Sequence, residues 1–133
     1  MNDRERLEMI DAVLDELSDM CQYSTILIEG RKDKAALEKL IGDFECIMIQ
    51  REGGPLRTAE RLYESGDSAI ILTDWDNKGE SIAADMEYHL KTLGVKYDTD
   101  IRRRLADLCR KDIKDIESLD FLYARLETST ATL

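Results

Sequence analysis

Two apolar, β-branched runs in this chain stop abruptly on acid and glycine, and few folds accommodate both. One is Ala69 to Glu80, AIILTDWDNKGE, which halts at Asp74 and Asp76; the other is Thr25 to Gly30, TILIEG, which halts at Glu29. Residues two apart on an extended chain project to one side, so Asp74 and Asp76, separated only by Trp75, point together while the strand persists. A helical pattern follows each run. Strands joined by helical crossovers make a parallel sheet, and in such sheets ligands bind at the edge formed by the carboxyl ends of the strands. Glu29, Asp74 and Asp76 are therefore expected to converge there. Three hard oxygen donors with no nearby imidazole or thiolate suit Mg²⁺, or Mn²⁺, because zinc sites draw on Cys and His. Magnesium also retains waters, which leaves room for a phosphate.

These residues carry a resemblance. E-G-x-x-D-x-x-A-L, here Glu29, Gly30, Asp33, Ala36 and Leu37, followed by T-D-x-D-x-x-G-E, here Thr73, Asp74, Asp76, Gly79 and Glu80, resembles the Toprim domain over roughly residues 25–94. That family includes bacterial-type primases, type IA topoisomerases, ribosomal-RNA maturation nucleases and small single-domain proteins, many of them archaeal. The resemblance implies a Rossmann-like α/β fold, with Glu29 as general acid/base and Asp74 and Asp76 holding Mg²⁺. Trp75 stands where topoisomerases and maturation nucleases usually carry proline, and Asn77-Lys78 where topoisomerases carry Arg-Glu. Metal binding is thus expected and topoisomerase chemistry is not.

At 133 residues the chain is sized for one domain, residues 1–133, with a core over about 23–97, and lacks the length for a primase or topoisomerase with accessory domains. A hydrophobic share of 43% beside 36% charged residues reads as globular. No apolar run approaches the ~20 residues that span a bilayer, and MNDRERLEMI has the wrong charge pattern for a signal peptide, so a cytoplasmic location is expected. Cys21, Cys46 and Cys109 are odd in number and widely spaced, which points to buried reduced thiols. The net charge of −10 works against a nucleic-acid partner, which normally meets a surplus of Lys and Arg. A bound cation at the acidic cluster offsets part of it, and the positive residues are bunched at Arg51, Arg57, Arg61 and at Arg102–Arg104.

Along the chain, Leu7, Ile10, Val13, Leu14, Leu17 and Met20 give an amphipathic helix over 3–20, whose stripe packs on its own domain or forms a homodimer or partner surface. Tyr23–Ile28 is the first strand. A helix over Asp33–Ile41 follows, with Asp33 as its cap or placed beside the metal, and Arg31 and Lys32 in the turn as solvated charges or phosphate contacts. Glu45–Gln50 is a second strand running into Arg51, Gly53, Gly54 and Pro55, a loop whose backbone N–H groups and Arg51 approach a phosphate or which merely reverses the chain. Leu56–Ser65 and Gly79–Leu93 are helices. The second begins directly after the aspartates, so Lys78 and Gly79 lie where a substrate phosphate would meet a helix N-terminus. Val95–Tyr97 makes about four strands in all, mainly parallel. Helices over Asp100–Arg110 and Ile113–Glu127 close the chain, with Arg102, Arg103 and Arg104 read as a solvated face or a backbone contact.

The leading functional reading is Mg²⁺-dependent phosphodiester cleavage or phosphoryl transfer on RNA or DNA. A non-catalytic Mg²⁺-dependent binding module in an RNA-processing, replication or repair complex is the alternative. A phosphoaspartate-type phosphatase ranks third, since Glu29-Gly30 has no role in it.

Overall fold

The computed structural model of the protein describes residues 1–131. In chain order it forms α1 (Asp3–Met20), β1 (Ser24–Ile28), α2 (Arg31–Ile41), β2 (Cys46–Met48), α3 (Ile49–Glu52), α4 (Pro55–Ser65), β3 (Ser68–Ile71), α5 (Asn77–Leu93), β4 (Tyr97–Asp98), α6 (Asp100–Cys109) and α7 (Leu119–Ala131). The sheet has the order β2-β1-β3-β4 and is parallel throughout. Alternation along the two inner strands sorts the core into layers. Ile26, Ile28, Ile70 and Leu72 point to one face and meet α1, α2, α6 and α7; Leu27, Ala69 and Ile71 point to the other and meet α4 and α5.

The stripe on α1 is covered by its own chain: Ile10, Val13, Leu14 and Leu17 are buried, and the helix packs on α6 and α7. Asn2 caps it by accepting the Glu5 N–H at 2.8 Å.

Several boundaries differ from the sequence reading, each for a backbone reason. β2 stops at Met48, because β1 ends at its register partner Ile28 and no ladder continues beyond. Ile49 to Glu52 then coil into one helical turn, closed by Gly53 and Gly54 at φ 113° and 104°, which a residue with a Cβ rarely adopts. The fourth strand begins at Tyr97, because the Gly94 and Val95 N–H groups fold back onto the Lys91 and Leu90 carbonyls in a Schellman-type cap of α5. The helix expected over Ile113–Glu127 begins only at Leu119. Residues 113–116 instead form a strap whose backbone is hydrogen-bonded to Asp74 and Trp75. Cys109 is buried, and burial pushes its thiol up to about 12; Cys21 and Cys46 are only half-buried.

Candidate metal centre

The carboxylates come from two loops at the carboxyl edge, after β1 and after β3. β1 delivers Glu29, and β3 runs through Leu72 and Thr73 to Asp74 and Asp76, one strand away. One oxygen from each of Glu29, Asp74 and Asp76 lies within 4.8 Å of the others. Each carboxylate also uses an oxygen on a backbone donor. Glu29 Oε2 accepts the Asp74 N–H at 2.8 Å, Asp74 Oδ1 accepts the Ile116 N–H at 2.8 Å, and Asp76 Oδ1 accepts the Gly79 N–H at 2.7 Å as the cap of α5. Such bonds fix rotamers while leaving the second oxygen of each group for a cation. The donor set is all oxygen, which fits Mg²⁺ or Mn²⁺.

Crowding shows in the titration of Asp74. Burial first, then the charges of Asp33 and Glu29, push its carboxyl up to about 8, against the opposing Ile116 hydrogen bond. Asp33 is raised too, chiefly by burial, with Glu29 and Glu117 adding to it and the Gly30 N–H opposing. A carboxyl raised by burial and by neighbouring negative charge marks a place where a divalent cation is favoured.

The loop between Asp74 and Gly79 is locked from three directions. Thr73 is fully buried, and its hydroxyl donates to the Gly79 carbonyl at 2.8 Å. A Cβ built on Gly79 would stand 1.9 Å from the Asp74 carbonyl oxygen, so the position admits glycine alone. Trp75 turns into the core, and its N–H groups donate to the strap, Nε1 to Ile113 O at 2.7 Å and the backbone to Lys114 O at 3.0 Å.

From below, Arg102 closes the loop. Its Nε donates to Thr73 O at 2.9 Å, and its Nη2 to Asp74 O at 2.6 Å and to the Glu80 carboxylate at 3.0 Å. Among the described residues it is one of four buried polar or charged ones, with Asp33, Thr58 and Thr73. This corrects the solvated-face reading for Arg102, while Arg103 and Arg104 do stay at the surface, paired with Asp100 and Glu16. A sequence signal for Arg102 existed: it lies three, four and seven residues before Leu105, Ala106 and Cys109, on the buried stripe of α6.

The other predicted residues divide. α2 starts at Arg31 rather than Asp33, with Gly30 as its N-cap; Asp33 sits in the first turn and accepts the Gly30 N–H at 3.1 Å, the half of a capping box that a glycine N-cap still allows. Arg31, Lys32 and Lys78 are exposed in the first turns of α2 and α5, beside the carboxylates in sequence. Arg51 is exposed on α3, next to Gly53 and Gly54, at the neighbouring strand end.

The match to known proteins covers this whole assembly. The Toprim domain model matches residues 24–117, a span that begins at β1 and ends just past the strap. The chain belongs to the Toprim family. A UPF0292 protein of Pyrococcus horikoshii is 37% identical over 122 residues, covering 92% of this chain and 89% of that relative. One from Methanosarcina barkeri is 33% identical over 130 residues, covering 96% and 89%. A solved structure of an Aquifex aeolicus protein superposes with a TM-score of 0.67 at 28% identity, covering 80% of this chain and 94% of that one. Toprim membership links the acidic edge with Mg²⁺-dependent, nucleic-acid-related function. No helix among the described residues is long and apolar enough to cross a membrane.

Proposed function

We propose that this Toprim protein, a single domain over residues 1–133, is a Mg²⁺-dependent enzyme that cleaves or transfers phosphodiesters of RNA or DNA. The convergence of three oriented carboxylates within 4.8 Å carries the reading. Asp74, Asp76 and Glu29 hold the metal, which supplies Lewis-acid polarisation of a phosphoryl oxygen when bound. Glu29 is the proton-moving group. Its Oε2 accepts the Asp74 N–H, which orients the carboxylate and leaves its other oxygen either to join the metal or to move the proton. Arg31, Lys32 and Lys78, next to the carboxylates in sequence, meet substrate oxygens, and Gly79 lets the chain pass close against the Asp74 carbonyl. Water is the nucleophile, and a cytoplasmic setting belongs to the same reading.

The test is cleavage of structured RNA and DNA with Mg²⁺ and Mn²⁺. Asp74→Ala should abolish activity, and Glu29→Gln should lower it ~10²-fold or more while leaving nucleic-acid binding intact. Full activity of Glu29→Gln would reject its catalytic role. The net charge of −10 favours a second reading, a non-catalytic Mg²⁺-dependent module working beside a protein partner. Absence of cleavage by the unmodified protein on every substrate would select it. A homodimer through α1 would need a face other than the stripe already covered by α6 and α7.

A further inference from the structure

Positive charge at this edge is placed where the carboxylate cluster does not use it. β2 is an edge strand, hydrogen-bonded to β1 on one side only. Beside it runs a groove of about 290 Å³ lined by Lys34 of α2, Cys46 and Met48 of the strand, and Arg51, Glu52 and Arg61 of α3 and α4. Glu52 is ion-paired with Arg61. Among the described residues, neither Lys34 nor Arg51 has an ion-pair partner.

The groove has a polarity. The charges felt by the Cys46 thiol are Lys34 and Arg61 on one side of the balance and Glu38 and Glu45 on the other. Glu45 precedes β2 and Arg51 follows it, so positive charge gathers toward the carboxyl edge and negative charge toward the amino end. Glu29 stands at the carboxyl end of β1, and adjacent strands lie about 4.8 Å apart. A backbone phosphate next to one held at Glu29 and Asp74 is therefore within reach of Arg51 and Lys34. The groove is too small for a duplex, and Glu45 ends the favourable path after about two phosphates. An acidic peptide adding a strand is disfavoured, because a three-residue edge that turns directly into α3 offers few ladder bonds.

We propose that the groove along β2 is a second phosphate-binding subsite, in which Lys34 and Arg51 take the backbone of a single-stranded segment leaving the carboxylate cluster. This rests on nucleic acid being the substrate of the site. The experiment measures binding of labelled 12-mer oligo(dT) and oligo(U) by anisotropy across a salt series, with Ca²⁺ replacing Mg²⁺ to suppress turnover. Loss of two phosphate contacts in the Lys34→Ala/Arg51→Ala protein should reduce the slope of log K against log salt by about 1.4, at ~0.7 per phosphate for single strands. The same reduction should appear in an Asp74→Ala background, where the cluster no longer works. An unchanged slope, or no oligonucleotide binding by the unmodified protein, would overturn the subsite. So would polyglutamate binding that the double variant loses while its oligonucleotide affinity stays whole. Cleavage assayed in parallel keeps the two readings apart: cutting without groove dependence rejects the subsite alone, and groove-dependent binding without cutting rejects catalysis alone.

Discussion

Replacing Arg102 is the sharpest probe of how the site is held. Its guanidinium satisfies the Thr73 and Asp74 carbonyls in a buried setting and ends on Glu80. Arg102→Ala would strand both carbonyls, each at a cost of about 1–3 kcal/mol, and would leave a void where the stem packs. The Glu80 arm adds little, because that carboxylate is 54% exposed and solvent screens the pair. A loss of about 3–5 kcal/mol is expected, a large part of the ~5–15 kcal/mol that stabilises a domain. Arg102→Lys should lose about half as much, since one ammonium cannot reproduce the planar fork that reaches two successive carbonyls. Glu80→Gln should cost less than about 1 kcal/mol. Urea denaturation followed by circular dichroism, with the m-value constant, reads these differences directly. Because the clamp grips the peptides that orient Asp74, Mn²⁺ affinity should fall further in Arg102→Lys than in an equally destabilised core variant such as Leu122→Ala. An Arg102→Ala loss under about 1 kcal/mol, or Mn²⁺ affinity that merely follows stability, would refute the reasoning.

Other perturbations give outcomes of known sign. Gly79→Ala drives a methyl into the Asp74 carbonyl at 1.9 Å and should cost about 3 kcal/mol and weaken Mn²⁺ binding; an unchanged melting curve with intact metal response would contradict the close approach. Trp75→Phe removes the donor to Ile113 O and should lower stability by about 1–2 kcal/mol in urea titration, and an unshifted midpoint would show that the strap is not held there. With its carboxyl raised to about 8 in the fold, Asp74 contributes stability that is complete below about pH 4 and lost as pH rises through about 8, so metal-free protein should melt lower at about pH 8.5 than at about pH 6. Asp74→Asn should flatten that trend, and Mg²⁺ added near neutral pH should release protons and raise the melting temperature; calorimetry in buffers of differing ionisation enthalpy would detect the protons, and their absence would count against Asp74 as a ligand.

What could be read from sequence was whatever depends on local period. Ile26 to Ile28 and Ala69 to Leu72 are apolar and β-branched with acid at their ends, so the strands, their parallel pairing and the meeting of Glu29 with Asp74 follow from alternation and crossover rules. The strap was hidden because Ile113, Ile116 and Leu119 are spaced by three, as in a helix, while the partners that stop that helix from forming are Asp74 and Trp75, about 40 positions earlier. Spacing cannot report a hydrogen bond made at such distance. Arg102 was hidden differently. It occupies a buried position of the α6 stripe, but a guanidinium within a run of three arginines looks like solvated charge until the Thr73 and Asp74 carbonyls that accept from it are seen.

The same unevenness answers how a chain of net charge −10 approaches a polyanion. Many of its cations are already neutralised where α1, α6 and α7 pack: Arg6 and Arg125 share Asp112, Arg104 bridges Glu16 and Asp100, and Arg103 joins Asp100 and Asp107. Those pairs close the layer behind the sheet and present little field to a ligand. Arg31, Lys32, Lys34, Arg51 and Lys78, which follow β1, β2 and β3, have no such partner among the described residues. Within a Debye length of about 8–10 Å the local arrangement outweighs the sum over the molecule, so a phosphate near Glu29 meets these cations before it feels the acidic helices. The attraction is short-ranged and has to work against Glu29, Asp74 and Asp76 themselves. Binding should consequently be weak without a divalent cation, confined to the few phosphates that the edge of the sheet can reach, and therefore modest in its salt slope, at about 0.7 for each phosphate contacted.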